Sequence, residues 1–439
     1  MSVPKVLIIG QPFNNNSGGG ITQANLFGGW DKNKIAVVCT GHMFNNLNSG
    51  ICDTYYLLGT DEYKWVFPFN LLQRGTLSGG VKLDANNSIT NASVPQGNIK
   101  LSLRKIIVHN YFYPILEYIG LFHCISRIKV SDKLKNWLDA YQPDVIYAQA
   151  SSRETILFCI AMQSYINKPM VFHMMDDWPS TVSEKGSFKL YWSKIIDRNF
   201  RTLLDNSALL LCISDYMAEE YKRRYGKDFI TFHNPIDISF WKNHQRSNYQ
   251  MSSAPRLLYA GRIGLGIQVS LESIAKAVDK INLQEKTPLQ FVLQTEQKPS
   301  WTENYKCVKH QVMVPYKELP RVFAEADLLI LPYDYSDESI RFIKYSMPTK
   351  APEYMVSGTP IIVFAPEVTA IVKDAQKNKW AKVITENDIE KLSMAIRDIF
   401  KNELERKEIA KSAINIAEYK FNAETVRNRF KELLSSMVE

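Results

Sequence analysis

What most constrains this chain is an alternation of short apolar runs with helical stretches, which continues to about residue 240, breaks, and starts again. An apolar run from Lys5 to Gly10 leads into Asn14-Asn15-Asn16-Ser17-Gly18-Gly19-Gly20, a loop composition, before a helix predicted from Ile21. Further strands are predicted at Ile35 to Cys39, Val145 to Ala148, Met170 to Phe172 and Ala208 to Ile213, with helices at Ser131 to Ala140, Glu154 to Tyr165 and Asp215 to Tyr225. Strands without polar alternation must be covered on both faces, so the pattern implies a parallel sheet wrapped by helices. A polar stretch from Lys242 to Pro255 follows, and the alternation resumes with strands at Arg256 to Ala260, Leu289 to Gln294, Leu328 to Leu331 and Pro360 to Phe364. Helices at Leu271 to Lys280, Glu318 to Glu325 and Lys350 to Ser357 lie between them. The expected architecture is therefore α/β, with two doubly wound domains over residues 1–240 and 255–422. No short repeat accompanies the second start, which excludes a solenoid.

Composition narrows the class. With 439 residues, 45% hydrophobic and 22% charged, the chain can fill two cores and is neither disordered, collagenous nor a disulfide mini-scaffold. The six cysteines stand singly, several inside apolar runs, and read as reduced, buried thiols. One lysine precedes the first apolar run, which is too short for a signal peptide, so a cytoplasmic location is expected and the sequons at Asn15, Asn86 and Asn91 carry no weight. A net charge of +8 suits phosphates or lipid headgroups and selects neither. No basic run with interleaved aromatics occurs, so nucleic acid is not an expected partner.

Two segments stand outside the alternation. Residues Asp61 to Lys100 mix the aromatic run Trp65 to Phe69 with Gly, Asn and Ser and suggest a surface excursion. Ile106 to Ser126 contains one formal charge, Glu117, between the basic flanks Arg104, Lys105, Arg127 and Lys129. An acidic residue at a bilayer centre costs roughly 2.5 to 3.5 kcal/mol, which argues against a span. An aromatic helix resting on a membrane surface through residues 104–129, or an ordinary core helix, are the readings that remain.

The segment Tyr345 to Ile362, YSMPTKAPEYMVSGTPII, carries the strongest chemical signal. Ser346 caps or precedes a helix, Pro348 suits its first turn, and Gly358 with Pro360 ends it. First-turn amides, the positive end of the helix dipole and Lys350 favour an anion there. Glu353, three residues on, could accept hydrogen bonds from both hydroxyls of a ribose, although Lys and Glu at this spacing often form only a surface pair.

These residues, Pro348-Thr349-Lys350, Glu353-Tyr354-Met355 and Gly358-Thr359-Pro360, resemble the donor-binding helix of GT-B glycosyltransferases of family 4, retaining enzymes of the bacterial surface-polysaccharide type. Leu257 to Ile263 resembles the opening strand and Gly-Arg turn of the donor domain, and Val312 to Pro332 its base-binding turn, helix and Ala-Asp strand. Cys212-Ile213-Ser214 and His233-Asn234-Pro235-Ile236-Asp237 resemble the end of the acceptor domain. The resemblance implies two Rossmann-like domains facing across a cleft, with a C-terminal helix over 423–437 returning to the first. It implies a sugar moved from a nucleotide sugar, most simply a UDP-sugar, to a saccharide or polyprenyl-diphosphate-linked acceptor, in surface polysaccharide or glycoconjugate assembly. Such an enzyme would work in the cytoplasm or at the inner face of the plasma membrane.

By resemblance, Glu353 holds the ribose, Arg262 and Lys350 neutralise the diphosphate, and Ser346 and Pro315 border the donor. Gly18, Gly19 and Gly20 would admit backbone amides to the diphosphate; read alone, they are a flexible loop. His173, Asp176 and Asp177, in a His-Met-Met-Asp-Asp-Trp-Pro run after a strand, would contact donor sugar and acceptor hydroxyl, although an Asp pair capping a helix is the structural alternative. The sequence departs from the family pattern at Tyr345, where a first glutamate is common, and after Arg262, where a lysine is common. A nucleotide-sugar 2-epimerase and a non-catalytic accessory subunit of the same fold are the alternatives. No cofactor is expected, and with neither H-E-x-x-H nor D-x-D present no metal site is expected.

Overall fold

The computed structural model describes residues 3–14, 18–43, 47–73, 75–83, 108–181, 186–285 and 287–438. The sequons at Asn15, Asn86 and Asn91, residues 84–100 of the surface excursion, and the basic flank Arg104 and Lys105 lie outside them. The chain divides into two compact units, residues 1–232 with 427–439, and residues 233–426.

Unit 1 is built on strands β1 (Val6–Ile9), β2 (Ile35–Thr40), β3 (Thr54–Leu58), β4 (Tyr63–Trp65), β5 (Gly79–Lys82), β6 (Ser126–Ile128), β7 (Val145–Ala148), β8 (Met170–Met174), β9 (Leu209–Cys212) and β10 (Ile230–Thr231). Eight of them form one sheet in the order β10-β9-β8-β7-β1-β2-β3-β5, parallel but for β5, while β4 and β6 form a separate antiparallel ribbon. Val6 pairs with both Ile35 and Val145, so β1 is central. All four of its residues are buried, as a continuous apolar run requires. The helix Ala423–Ser435 supplies Phe430, whose ring lies 5.1 Å from Phe27 and 5.4 Å from Phe232. Arg427 Nε donates to the Asn25 carbonyl (2.7 Å) and fastens the same helix.

Unit 2 contains β11 (Arg256–Ala260), β12 (Gln290–Gln294), β13 (Val308–Gln311), β14 (Leu328–Pro332), β15 (Ile361–Phe364) and β16 (Lys382–Ile384), all parallel in the order β13-β12-β11-β14-β15-β16. This is the doubly wound order, which reverses between β11 and β14. Alternate residues feed two cores. Leu257 and Tyr259 pack with the helix Gln268–Asn282, whereas Leu258 and Ala260 pack with Tyr354, Met355 and Val356. Truncating Leu257 to Ala would cost about 2–5 kcal/mol, because nothing can collapse into the space between helix and sheet.

Three expectations need correction. The boundary expected across Lys242 to Pro255 falls earlier in the chain, and that stretch is part of unit 2. Its Arg246 donates to the Ala326 carbonyl and pairs with buried Asp327 (3.2 Å), which also takes Ser252 Oγ (2.8 Å) and Arg256 N (2.9 Å). The helix after β1 starts at Gly18, not Ile21, so the three glycines are its first turn rather than a loop. Ile106 to Ser126 is not one helix: a π-helical turn, Val108–Phe112, runs into Tyr113–Tyr118, and Gly120, at φ 73°, ends it. Left-handed backbone suits glycine there and stops helical propagation.

Five of the cysteines (Cys39, Cys52, Cys159, Cys212 and Cys307) are buried, and burial pushes each thiol up to about 12, which keeps them unreactive.

Candidate functional site

In unit 2 the sheet order reverses where β11 ends, and the polar side chains collect there. The turn after β11 places Gly261 at φ 150°, a conformation for glycine, and a Cβ on it would overlap Lys350 Nζ. That ammonium donates to the Ala260 carbonyl (2.9 Å) and lies 4.2 Å from the centre of the Tyr259 ring. The short helix Ala351–Val356 is buried along its whole length, which carries Glu353 down to 8% exposure. Tyr354 locks this helix to the strand, its hydroxyl accepting from Ala260 N (2.9 Å). Asn234 Nδ2 donates to the Thr349 carbonyl (2.9 Å) and fixes the turn that precedes Lys350.

The electrostatics of this cluster are costly for the protein alone. Burial lowers the Lys350 ammonium to about 7, with Glu353 opposing and the Arg262 charge reinforcing the shift. Burial raises the Glu353 carboxyl to about 7; only the Lys350 charge opposes it, and no hydrogen bond contributes. A carboxylate so placed favours ligand hydroxyls, and an ammonium so placed favours an added anion. Arg262 is exposed, and its carbonyl accepts from Tyr259 Oη (2.6 Å). The structure thus brings Arg262, Lys350 and Glu353 together at one strand end. Ser346 lies before the helix rather than at its cap: Lys350 holds the N-cap position, and Ser346 Oγ points at the Phe342 carbonyl (3.4 Å).

Beside the cluster, on the sheet face that carries Leu258 and Val292, a cavity of about 220 Å³ is lined by Gln294, Gln311, Val314 and Val322 among others. Gln294 is 2% exposed and its Oε1 has no hydrogen-bond partner, so a buried acceptor faces this space. Pro315, exposed, follows Val314 in the turn that rims it. The sequence reading named the turn, and Asn234 and Tyr259 fell within its matched runs, but it gave no role to them or to Gln294. The strand-final position of Gln294 was the available signal, since polar groups at carboxyl ends of parallel strands are where such sheets meet ligands.

In unit 1 the matching reversal lies between β1 and β7. A buried polar chain runs through it: Gln23 Nε2 donates to the Gln11 carbonyl (2.9 Å), and Gln149 Nε2 reaches Gln23 Oε1 (3.2 Å) and Tyr147 Oη (3.4 Å). Tyr147 Oη lies 2.6 Å from His173 Nδ1. Burial holds the Tyr147 phenol above its usual range, and its hydroxyl shares this hydrogen bond with the His173 ring. Gly18, Gly19 and Gly20 belong to the helix that carries Gln23; a Cβ on Gly20 would collide with the Asn14 amide.

The two aspartates after β8 separate in role. Asp177, 1% exposed, receives both terminal nitrogens of Arg224 (3.0 Å each), Tyr221 Oη (2.7 Å) and Ser180 Oγ (2.5 Å). Four hydrogen bonds from the protein's own groups give Asp177 the part of a structural anchor. It ties the Trp178–Ser180 turn to the helix Asp215–Tyr225. Asp176 remains half-buried beside it. Among the described residues, no group of three or more His, Cys, Asp or Glu is placed to hold a metal ion.

Comparison with known proteins bears on this arrangement. Residues 254–402 match the family model "Glycosyl transferases group 1", and residues 97–240 match "Glycosyltransferase Family 4". No curated protein matches the sequence. Among solved structures, Anabaena Alr3699/HepE in complex with UDP and glucose aligns with a TM-score of 0.61 at 13% identity, covering 98% of this chain and 100% of that one. Sucrose-phosphate synthase from Thermosynechococcus elongatus aligns at 0.62 and 11%, covering 99% of each. A UDP-forming α,α-trehalose-phosphate synthase from Burkholderia xenovorans, in complex with glucose-6-phosphate, aligns at 0.58 and 11%, covering 98% and 100%. At these identities the structures share the fold, and the two family models add the sequence evidence for about two thirds of the residues. The chain therefore belongs to the family 4 GT-B glycosyltransferases, enzymes that transfer a sugar from a nucleotide-sugar donor.

Proposed function

We propose that the protein is a retaining glycosyltransferase that draws its sugar from a UDP-sugar and delivers it to a saccharide hydroxyl, with the saccharide carried on polyprenyl diphosphate, in surface polysaccharide or glycoconjugate assembly. Unit 2 binds the donor and unit 1 the acceptor. The observation that carries the donor half is the displaced pair Lys350 and Glu353 beside Arg262, one cationic and one anionic group that the protein itself leaves poorly compensated. Solved structures of the same fold bind UDP, in line with this reading.

In the mechanism, Glu353 accepts from the ribose hydroxyls, and Lys350 with Arg262 pairs with the diphosphate. The bond from the anomeric carbon to the phosphate oxygen breaks, a bond to the acceptor oxygen forms, and negative charge grows on the departing diphosphate. Lys350 and Arg262 stabilise that charge at fixed positions, which is where preorganised electrostatics act most strongly. His173 hydrogen-bonds a hydroxyl of the transferred sugar; Asp176 orients the acceptor hydroxyl or takes its proton. Gln294 reads the base in the cavity lined by Val314 and bordered by Pro315, and the first-turn amides of Gly18 to Gly20 give unit 1 an end suited to an anion. These cations serve the leaving group without a divalent metal, so turnover is expected to withstand chelators. Residues 104–129 contact the inner face of the plasma membrane, where a lipid-carried acceptor resides; among the described residues no helix is long and apolar enough to cross.

The test is a melting-temperature panel with UDP-, GDP- and ADP-sugars, followed by product analysis by NMR. UDP-sugars should raise the melting temperature most, and the product should keep the donor's anomeric configuration. Protection by none of the three, or isomerisation of UDP-sugar without any acceptor, would refute the reading.

A further inference from the structure

The exposed apolar surface of unit 1 extends well beyond the described residues 108–129. Phe67, Leu71, Ile115, Tyr118, Leu190 and Tyr191 are between 57% and 79% exposed. They come from three separate segments that the structure knits into one platform. Trp65 stacks on Phe112 (6.1 Å between ring centres), and Phe69 meets Phe112 edge-on (5.8 Å). Ser187 N donates to the Tyr118 carbonyl (3.0 Å), and Trp192 Nε1 donates to the Gly120 carbonyl (2.6 Å). Gly120 sits so close to the Phe188 ring that a Cβ there would collide. Monomeric proteins rarely leave so many large apolar side chains together in water without use for them.

The rim of this platform is basic. In the β4–β6 ribbon Lys64 stands directly opposite Arg127, both exposed, a like-charge pair that an external anion would relieve. Exposed Lys129 follows in β6's line, and exposed Lys189 and Lys194 flank Leu190 and Tyr191 on the helix Lys189–Asp205. Within residues 63–71, 111–129 and 186–194 half-buried Glu117 is the one acidic residue. Lysine stems can lie along apolar surface while their ammonium groups reach headgroups, and tyrosines suit the boundary between acyl chains and water.

We propose that these three segments, residues 63–71, 111–129 and 186–194, form a single docking face for a bilayer that carries anionic lipid. The aromatic and aliphatic side chains enter the headgroup boundary and the lysines and Arg127 engage lipid phosphates. A second copy of the chain fits this face less well, because an isologous contact would set the basic rim against itself. The proposal deepens the membrane-side reading above and rests on it for its purpose, yet docking is measurable with no sugar present.

The experiment is flotation of the full chain with vesicles of phosphatidylcholine alone and of equal parts phosphatidylcholine and phosphatidylglycerol. The wild type should float with the anionic vesicles, less so in high salt, and barely with the neutral ones. Leu190→Glu combined with Phe67→Glu, and separately Lys189→Glu combined with Lys194→Glu, should each lower the bound fraction about tenfold. Both should leave the melting temperature unchanged, since all four side chains already face water. Flotation unaffected by either pair would overturn the proposal, as would a concentration-dependent dimer that Leu190→Glu disperses. Loss of UDP-sugar protection with flotation intact would instead strike the donor reading and leave this one standing.

Discussion

Glu353, on the helix packed against the end of β11, and Asp177, just after β8, are both acidic residues beside a parallel sheet, and the fold treats them in opposite ways. Asp177, after β8, is held by Arg224, Tyr221 and Ser180, so its charge is compensated within the protein. Glu353, near the end of β11, is almost as buried, yet burial pushes it up to about 7 and no hydrogen bond opposes that rise. Burial alone therefore does not identify a functional carboxylate. What separates them is whether the fold supplies the partners, and only the group left short of them has something to gain from a ligand.

The contrast can be broken first at Asp177. Asp177→Ala leaves Arg224 without its partner, and the expected loss of stability is about 3–5 kcal/mol, measured by urea unfolding. Turnover per folded molecule should change little. A variant that unfolds normally but loses turnover would show that Asp177 touches substrate after all.

Next come the unit 2 pair. Lys350→Met and Glu353→Ala should each lower kcat/KM about 100- to 1000-fold, the scale of removing one preorganised electrostatic contact. Each should cost less stability than Asp177→Ala, because burial already holds both groups close to neutrality and the partner left behind can give up its charge. If both variants lose stability as Asp177→Ala does, the two sites are alike and the comparison fails. Gln294→Leu sharpens the contrast on the smallest scale. Replacing an unpartnered buried acceptor by an apolar side chain should leave stability the same or slightly higher while raising KM for the UDP-sugar about tenfold. An unchanged KM together with unchanged preference among UDP-, GDP- and ADP-sugars would remove Gln294 from base reading.

Much of the fold was legible because the central strands are continuous apolar runs: β7 and β11 fall on the residues the hydropathy pattern predicts, as does the helix Asp215–Tyr225, bounded by Ser214 and Gly226. The edge strand β13, Val-Lys-His-Gln, was not, since half of an edge strand faces water and its pattern resembles a loop. The polar stretch before β11 read as a domain boundary because its anchor, Asp327, lies about eighty residues away in sequence. At the site, the spacing of Lys350 and Glu353 was visible, but their burial was not. That burial depends on Tyr354 reaching Ala260 N and on Asn234 holding Thr349, contacts that cross about a hundred residues.

The central claim is that Lys350 and Glu353 await a nucleotide sugar, and proton linkage tests it most directly. Because burial lowers Lys350 to about 7, the free protein holds it mostly neutral at pH 8, whereas the unfolded chain would hold it charged; its contribution to stability therefore rises with pH between about 7 and 10.5. A bound diphosphate raises its pKa again and draws a proton in. A nucleotide sugar is a diphosphate diester with no proton of its own to exchange near neutrality. Titration calorimetry of UDP-glucose at pH 8, in buffers of different ionisation enthalpy, should show uptake of close to one proton, ~1 per site, that vanishes in Lys350→Met. Binding of equal strength in wild type and Lys350→Met, with no proton taken up by either, would contradict the account.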